Sequence, residues 1–413
     1  MFGTEFWWEN AVEKNQYGKL GRVAKNWGLD TLDGDLDDAT LLKIRRNLML
    51  DTASLRFRDE EYYASRNFDV ENIEVPLLSV ANWVCCISNV KYSRVADFKF
   101  EGGILLHLRG NVLGWMRASS PYKYLHLIIG RHDLPCYYDH PAELQQSLFD
   151  AFLKDNYYDG WKTGKQPRVK LCLRRGDCGV DDPERELAFP TRAEADWPIP
   201  DTKRTKFFLR ANSALLEAPS DNRISVSYDA LNGDAVQFRF TTPKTLEITG
   251  HILAHLVVSA SKDKDEQSPT DIDLFITLRK LAKEGSEVFY TGTMGDAVPI
   301  VKGWQRISLR KTDPSHPLHR PYLQYRNYIP SDVQDVEIDK PYDVDVEIWP
   351  TNVVLEEGET LVLEVAGHDT QGVLNFSHGH VDDRRPEVLR GQNNLHVGGE
   401  DSWLLLPVIP NRL

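Results

Sequence analysis

The sequence has no Gly-x-Ser-x-Gly anywhere, so it lacks the strained strand-to-helix elbow that presents a nucleophilic serine in one large class of hydrolases. It has no apolar run approaching the ~18 residues a membrane-crossing helix needs. Its opening, MFGTEFWWENAVEKNQYG, has neither the basic nor the apolar part of a secretory signal. That opening also lacks the loop or cap of a domain edge, which is the expectation for an N-terminally truncated chain. There is no excess of positive charge: 49 Lys and Arg against 62 Asp and Glu leave a net charge of −13. Nucleic acids and anionic membranes need concentrated Lys and Arg, so both are excluded as partners. Cysteine is scarce. Cys85, Cys86, Cys136, Cys172 and Cys178 are odd in number and irregular in spacing, which excludes a disulfide framework or a zinc site. The expected compartment is therefore reducing and cytoplasmic, and no cofactor is expected.

What is present divides into two textures. Residues 29–38 place acids around a helix start, where they complement the helix dipole, and an Arg-rich segment with mixed three- and four-residue apolar spacing follows. Residues 1–70 thus read as a helical segment. VPLLSVA (75–81) and YLHLIIG (124–130) read as buried parallel strands. Helices are expected at 104–116 and 141–154, so residues 71–165 follow the doubly wound strand-helix order. From about Arg168 the pattern becomes many short alternating strands separated by Gly, Pro, Asn and Asp, as in an antiparallel β-sandwich. The expected class is α/β plus all-β, with the sandwich occupying 166–413.

Several motifs invite chemistry. His132 follows the apolar strand that ends at Ile129, and a loop histidine at a strand's carboxyl end is well placed for catalysis in an α/β sheet. Asn375-Phe-Ser-His-Gly approaches the serine elbow but lacks its first glycine, so Ser377 reads as a loop serine. His378, His380, Asp382 and Asp383 form a set with metal-ligand chemistry, although the motif is undemanding and a solvated polar loop explains it better; no metal is expected. His316 and His319 lie in a proline-fixed crossover with no third ligand. The acids between 332 and 347 alternate with Val and Ile, as on a solvated strand face. Trp304, Tyr322, Tyr325 and Tyr328 read as core aromatics beneath proline-rich crossovers, with sugar stacking as the alternative.

The stretches VPLLSVANW (75–83) and GGILLHLRGN (102–111), joined directly, resemble the CocE/NonD serine hydrolases. So do Gly130-Arg-His-Asp-Leu-Pro, Leu148-Phe-Asp-Ala-Phe-Leu-Lys, Gly303-Trp-Gln-Arg-Ile-Ser-Leu-Arg and the C-terminal Asn394-Leu-His-Val-Gly-Gly with Ser402-Trp-Leu-Leu-Leu-Pro. The last two are similar to the non-catalytic C-terminal domain of X-prolyl dipeptidyl-peptidases. The resemblance implies a partial α/β-hydrolase sheet with a helical cap segment, followed by a galactose-binding-like jelly roll. It also implies a Ser-Asp-His triad acting on esters, amides or X-prolyl peptides. Within that triad, His132 takes the place of the acid–base histidine. The family's acid follows the strand that ends here near Trp83. This chain offers Asn82, which can orient an imidazole but cannot balance an imidazolium with charge. Asp97 and Glu101 lie inside residues 84–101, an 18-residue stretch foreign to its surroundings. Its valine start and glutamate end are compatible with GT and AG intron boundaries, so a retained in-frame intron is the expectation there. The resulting reading is a serine-hydrolase relative without its nucleophile, inert alone in acyl transfer. Its substrate would be a small ester, amide or peptide, and a homo-oligomer is left open. The alternative is a non-enzymatic β-sandwich protein that binds carbohydrate or a partner subunit.

Overall fold

The computed structural model describes residues 37, 39–40, 43, 55–83, 107–131, 135, 138–155, 160–262, 264, 268–292, 295–370, 378 and 382–410. Most of the expected helical cap segment lies outside these residues, as do 84–101, His132, Ser377 and His380. Near the expected helix start, the Asp37 carboxylate accepts the Thr40 backbone N–H at 2.7 Å, a first-turn cap. A four-residue helix α1 (Glu61–Ala64) precedes the first strand.

A four-stranded sheet contains β1 (Leu77–Asn82), β2 (Lys123–Ile128), β3 (Val169–Cys172) and β4 (Thr191–Glu194), in that order. β1, β2 and β3 run parallel and β4 closes the sheet antiparallel. Two helices cover it: α2 (Leu108–Arg117) and α3 (Asp139–Leu153). α2 buries Leu108, Val112 and Trp115, the i, i+4, i+7 stripe of an amphipathic helix. The two-residue period of β2 decides which helix each side chain meets. Leu125 and Leu127 join the core that includes the α2 stripe, whereas Tyr124 packs with Leu148, Ala151 and Trp161 on the α3 side. Among the described residues β1 pairs only with β2, so its other edge is unpaired.

The second, larger sheet has twelve strands among the described residues. They are β5 (Lys203–Leu209), β6 (Leu215–Leu216), β7 (Ser220–Asp229), β8 (Val236–Thr241), β9 (Leu246–Ser261), β10 (Asp273–Leu281) and β11 (Glu287–Val288), then five more beyond a separate two-stranded ribbon. The ribbon is β12 (Tyr290–Thr291) with β13 (Ala297–Val298). The later five are β14 (Val301–Arg306), β15 (Tyr342–Leu355), β16 (Thr360–Ala366), β17 (Gln392–Gly399) and β18 (Trp403–Ile409). Pairing is antiparallel throughout, and β9 and β15 form the longest ladder, broken by one register shift between Ile348 and Thr351. Their side chains are buried on both faces over most of their length.

Two sequence expectations need correction, the second only in part. The run that begins at Val169 was expected to open the sandwich, yet it is the third strand of the parallel sheet, and β4 follows it there. A four-residue apolar run fits either partner, and only contact with β2 decides. The acids of 332–347 were expected on a solvated face, and Asp335, Glu337, Asp339 and Asp343 are exposed as expected; the exceptions are Asp332, buried against Lys311 at 2.6 Å, Asp345, which meets His255 at 2.8 Å, and Glu347, which takes two Arg109 donors at 2.7 and 2.9 Å. The pairing residues come from elsewhere in the chain, so no local pattern reveals them.

The two sheets share one hydrophobic core. Arg174, fully buried just beyond β3, reaches into the large sheet. It donates to Asn352 O at 2.6 Å, Thr351 Oγ1 at 2.5 Å and Ile300 O at 3.3 Å, and lies 4.4 Å over the Tyr290 ring. Arg192 of β4 makes a two-pronged pair with buried Glu247 of β9 at 2.6 and 2.7 Å. No helix among the described residues is long and apolar enough to cross a membrane.

Candidate active site

The carboxyl ends of β1, β2 and β3 meet at one edge of the small sheet. Asn82, the last residue of β1, is buried there, and its Nδ2 donates to Gly130 O at 2.6 Å and, at the limit of geometry, to Arg131 O at 3.4 Å. Trp83 continues the ladder by donating its N–H to Ile128 O at 2.9 Å, while its indole donates to Cys172 O at 2.8 Å. Three strands are thus tied at the point where the chain leaves β2. His132 is the residue after Arg131 and lies outside the described residues. Asn82, weighed from sequence as an imidazole-orienting amide, uses Nδ2 on the backbone immediately before His132.

Around this exit stand groups that the sequence reading did not single out. The short helix α4 (Pro183–Leu187) is capped by Asp182, which accepts the Arg185 N–H at 3.1 Å, and carries Pro183 in its first turn. It buries Glu186 beneath Gly130. Burial raises the Glu186 carboxyl above its ordinary range; the Thr291 hydroxyl opposes this, Asp181 and Asp182 add to it, and Arg131 opposes it again. Asp181 also faces the Arg131 guanidinium at 3.5 Å. The Asp-Asp-Pro cap at 181–183 was legible as a helix start, but nothing in it located Glu186 under the β2 exit.

Cys172 and Cys178 are buried free thiols. Burial pushes the first up to about 12 and the second up to about 11, so neither supplies a thiolate nucleophile near neutrality.

A second concave region, a cleft of about 800 Å³, lies on the large sheet between Trp304, Phe275, Arg306, Tyr328, His378 and Arg384. Several of its charges are paired within the protein. Arg306 grips Asp273 with two bonds at 2.7 and 2.8 Å, and Arg384 adds a third at 3.2 Å. His378 Nδ1 lies 3.0 Å from Asp369 Oδ2, and Trp304 Nε1 donates to the other oxygen at 3.4 Å. Burial leads the lowering of the His378 pKa below its ordinary value, with Asp369 opposing. His378 is therefore a partner of Asp369, and no group of three or more metal-ligating side chains gathers among the described residues. Of the aromatics expected in the core, Trp304, Tyr322 and Tyr325 are half-buried and Tyr328 is 37% exposed. Loop segments cover them less fully than a second sheet layer would. His316 stacks on Tyr325 at 3.5 Å and accepts the Leu318 N–H at 3.2 Å, a local loop fixture.

A family model described as the X-Pro dipeptidyl-peptidase C-terminal non-catalytic domain matches residues 159–406. No curated protein matches. Among solved structures, a CocE/NonD family hydrolase from Staphylococcus aureus aligns with TM-score 0.70 and 22% identity, over 92% of this chain and 60% of that one. An aminopeptidase from a marine sediment Thaumarchaeota archaeon aligns with TM-score 0.58 and 11% identity, over 90% and 61%. An α-amino acid ester hydrolase aligns with TM-score 0.55 and 12% identity, over 90% and 62%. The chain spans about three-fifths of the length of these structures. At such identities the likeness is one of fold. With the family match covering more than half its length, the chain belongs to the family of the X-Pro dipeptidyl-peptidase C-terminal non-catalytic domain, and it has the fold of CocE/NonD hydrolases.

Proposed function

We propose that this chain carries part of a serine hydrolase acting on ester, amide or X-prolyl peptide bonds, with His132 as its acid–base residue. The observation that supports this most is the tied carboxyl edge of β1 and β2, where Asn82 holds the backbone that delivers His132. In such an enzyme the imidazole takes the serine proton during attack on the carbonyl and returns it to the leaving group. This sequence holds no Gly-x-Ser-x-Gly elbow, so we read the nucleophile as supplied by polypeptide outside it and the chain alone as inert in acyl transfer. Residues 84–101 are read as a retained intron interrupting the segment that would carry the triad acid. The large sheet is read as a galactose-binding-like jelly roll, and the compartment as cytoplasmic.

Two measurements test the reading. A fluorophosphonate should label no serine of the chain as given; stoichiometric labelling would overturn it and point first to Ser377. Joining an upstream Gly-x-Ser-x-Gly portion and deleting 84–101 should yield hydrolysis of a p-nitrophenyl ester, and His132→Ala should then abolish it. RNA reads across 84–101 test the intron separately, since a dominant message that retains those codons would sink it.

The paired charges and half-exposed aromatics of the large-sheet cleft favour a second reading, binding of an uncharged carbohydrate. Sugars stack their C–H faces on aromatic rings and hydrogen-bond to fixed polar groups. Quenching of Trp304 fluorescence by mono- and disaccharides, lost in Trp304→Ala, would support it, and an unchanged signal would remove it.

A further inference from the structure

The large-sheet cleft has a second wall that comes from a distant part of the chain. Arg56 and Phe57, from the segment ahead of α1, line it together with Trp304, Gln305, Arg306 and Tyr328. Local bonds shape that segment. Glu60 Oε1 accepts the backbone N–H groups of Arg56 and Phe57, each at 2.9 Å, and the Tyr63 hydroxyl donates to Leu55 O at 3.1 Å. Arg58 then fastens it to the large-sheet side: its backbone N–H donates to Tyr328 O at 2.9 Å, and its Nη1 donates to the Tyr325 hydroxyl at 2.9 Å. Further along, Glu71 takes two Arg117 donors at 2.7 and 3.0 Å, so the same stretch is also held to α2. Residues 55–72 thus form a strap with one end on the cleft and the other on the small sheet.

Tyr328 stands where the strap meets the cleft. Its φ is +54°, a left-handed state that is an outlier for a bulky side chain. Residues held in such states gather at ligand clamps and switch regions. The Tyr328 hydroxyl donates to Gln305 Oε1 at 3.4 Å on the cleft wall, while its carbonyl accepts from Arg58. One strained residue therefore carries both a ring that lines the cleft and the carbonyl that holds the strap. We propose that the cleft is a clasp: an uncharged saccharide seated between Phe57 and Trp304 holds residues 55–60 on the large sheet, with Tyr328 linking ligand to strap. The proposal deepens the carbohydrate reading of this cleft and rests on it. A ligand that touches both walls is fully bound only when the strap is docked, so binding and docking favour each other by the same factor.

The test titrates the full chain with maltose and with lactose. Fluorescence quenching, assigned to Trp304 by its loss in Trp304→Ala, gives the Kd, and amide hydrogen exchange reads the strap. Exchange at residues 56–60 should slow as 1 + [L]/Kd, which is about tenfold at ten times the Kd. Tyr328→Gly suits the left-handed backbone and should keep the fold while removing the ring, with near-UV circular dichroism as the check. Both Tyr328→Gly and Phe57→Ala should weaken saccharide binding by about threefold to tenfold, the loss of one stacking ring. Quenching accompanied by exchange at 56–60 within twofold of the free protein would overturn the clasp and leave the carbohydrate reading standing. A Kd unchanged in Phe57→Ala would overturn it in the same way. Absence of both quenching and slowing would remove the carbohydrate reading and the clasp with it.

Discussion

The small parallel sheet and the large antiparallel sheet handle the same problem, buried backbone and charge, in opposite ways. The large sheet pairs most of its buried charge internally. Arg279 meets Glu364 and Glu287, Lys280 meets Glu359, and Arg306 meets Asp273, so these cations are matched by acids from nearby segments. Among the described residues the small sheet instead has unpaired edges at β1 and β4 and large apolar side chains in solvent, including Phe149 at 56% and Leu153 at 76% exposure on α3. Near its strand ends the charged groups Glu186 and Arg131 keep Oε1 and Nε without partners, whereas the unpartnered buried atoms on large-sheet strands belong to Tyr228, His251 and Asn393. The proposed site lies at the strand ends of the small sheet, and the large sheet has the character of a scaffold. A shared core joins them, with Arg174 and Arg192 reaching from the small sheet into the large one.

The largest expected effect therefore comes from breaking that join. Arg174→Met should cost about 3–5 kcal/mol in denaturant unfolding, because it strands the Ile300 and Asn352 carbonyls and leaves Thr351 without its donor. Wild type should unfold in one transition; two separate transitions would show that the sheets are independent and break the comparison. Within the large sheet, Leu256→Ala at a fully buried site should cost about 2–5 kcal/mol. A loss much under 1 kcal/mol would mean that this region is not the densely packed scaffold described.

Acid should find the buried histidines next. Burial lowers His126 in the small sheet and His251 in the large one from 6.5 to about 4. Both fold as the neutral ring, so their stabilisation is fully present above pH 6.5 and is lost as pH falls toward 4. Each contributes roughly 3 kcal/mol across that interval. His251→Gln, which retains an acceptor for the Trp197 indole, should flatten this dependence, as should His126→Leu. A stability curve unchanged by both replacements would remove histidine burial as its cause. The smallest effect sharpens the contrast from the other side: Phe149→Ser with Leu153→Ser should change stability by less than about 0.5 kcal/mol. Unfolding midpoints decide it, and a large loss would mean that something covers α3.

How much of this was legible follows the range of each interaction. The strand at 75–81 and the helices at 104–116 and 141–154 were readable because apolar spacing is local, and the structure places them at Leu77–Asn82, Leu108–Arg117 and Asp139–Leu153. The antiparallel character after residue 200 was readable from alternation and turn residues. The place of Val169–Cys172 was not, since a short apolar strand carries no mark of its partner. Nor were the partners of Asp332, Asp345 and Glu347, which come from Lys311, His255 and Arg109.

At the candidate site the sequence alone determined that His132 follows an apolar strand, that Asn82 stands where an acid was expected, and that no serine sits in an elbow motif. These are properties of neighbours along the chain, and one-dimensional order is enough to state them. Only the tertiary structure decided that Asn82 clamps Gly130 across two parallel strands, that Glu186 lies beneath the same glycine, and that Arg174 binds the two sheets. Each depends on groups 48 to 178 residues apart meeting with hydrogen-bond geometry. A local pattern sets which face of a strand is apolar, but which distant polar group satisfies a buried one is settled only when the sheets close.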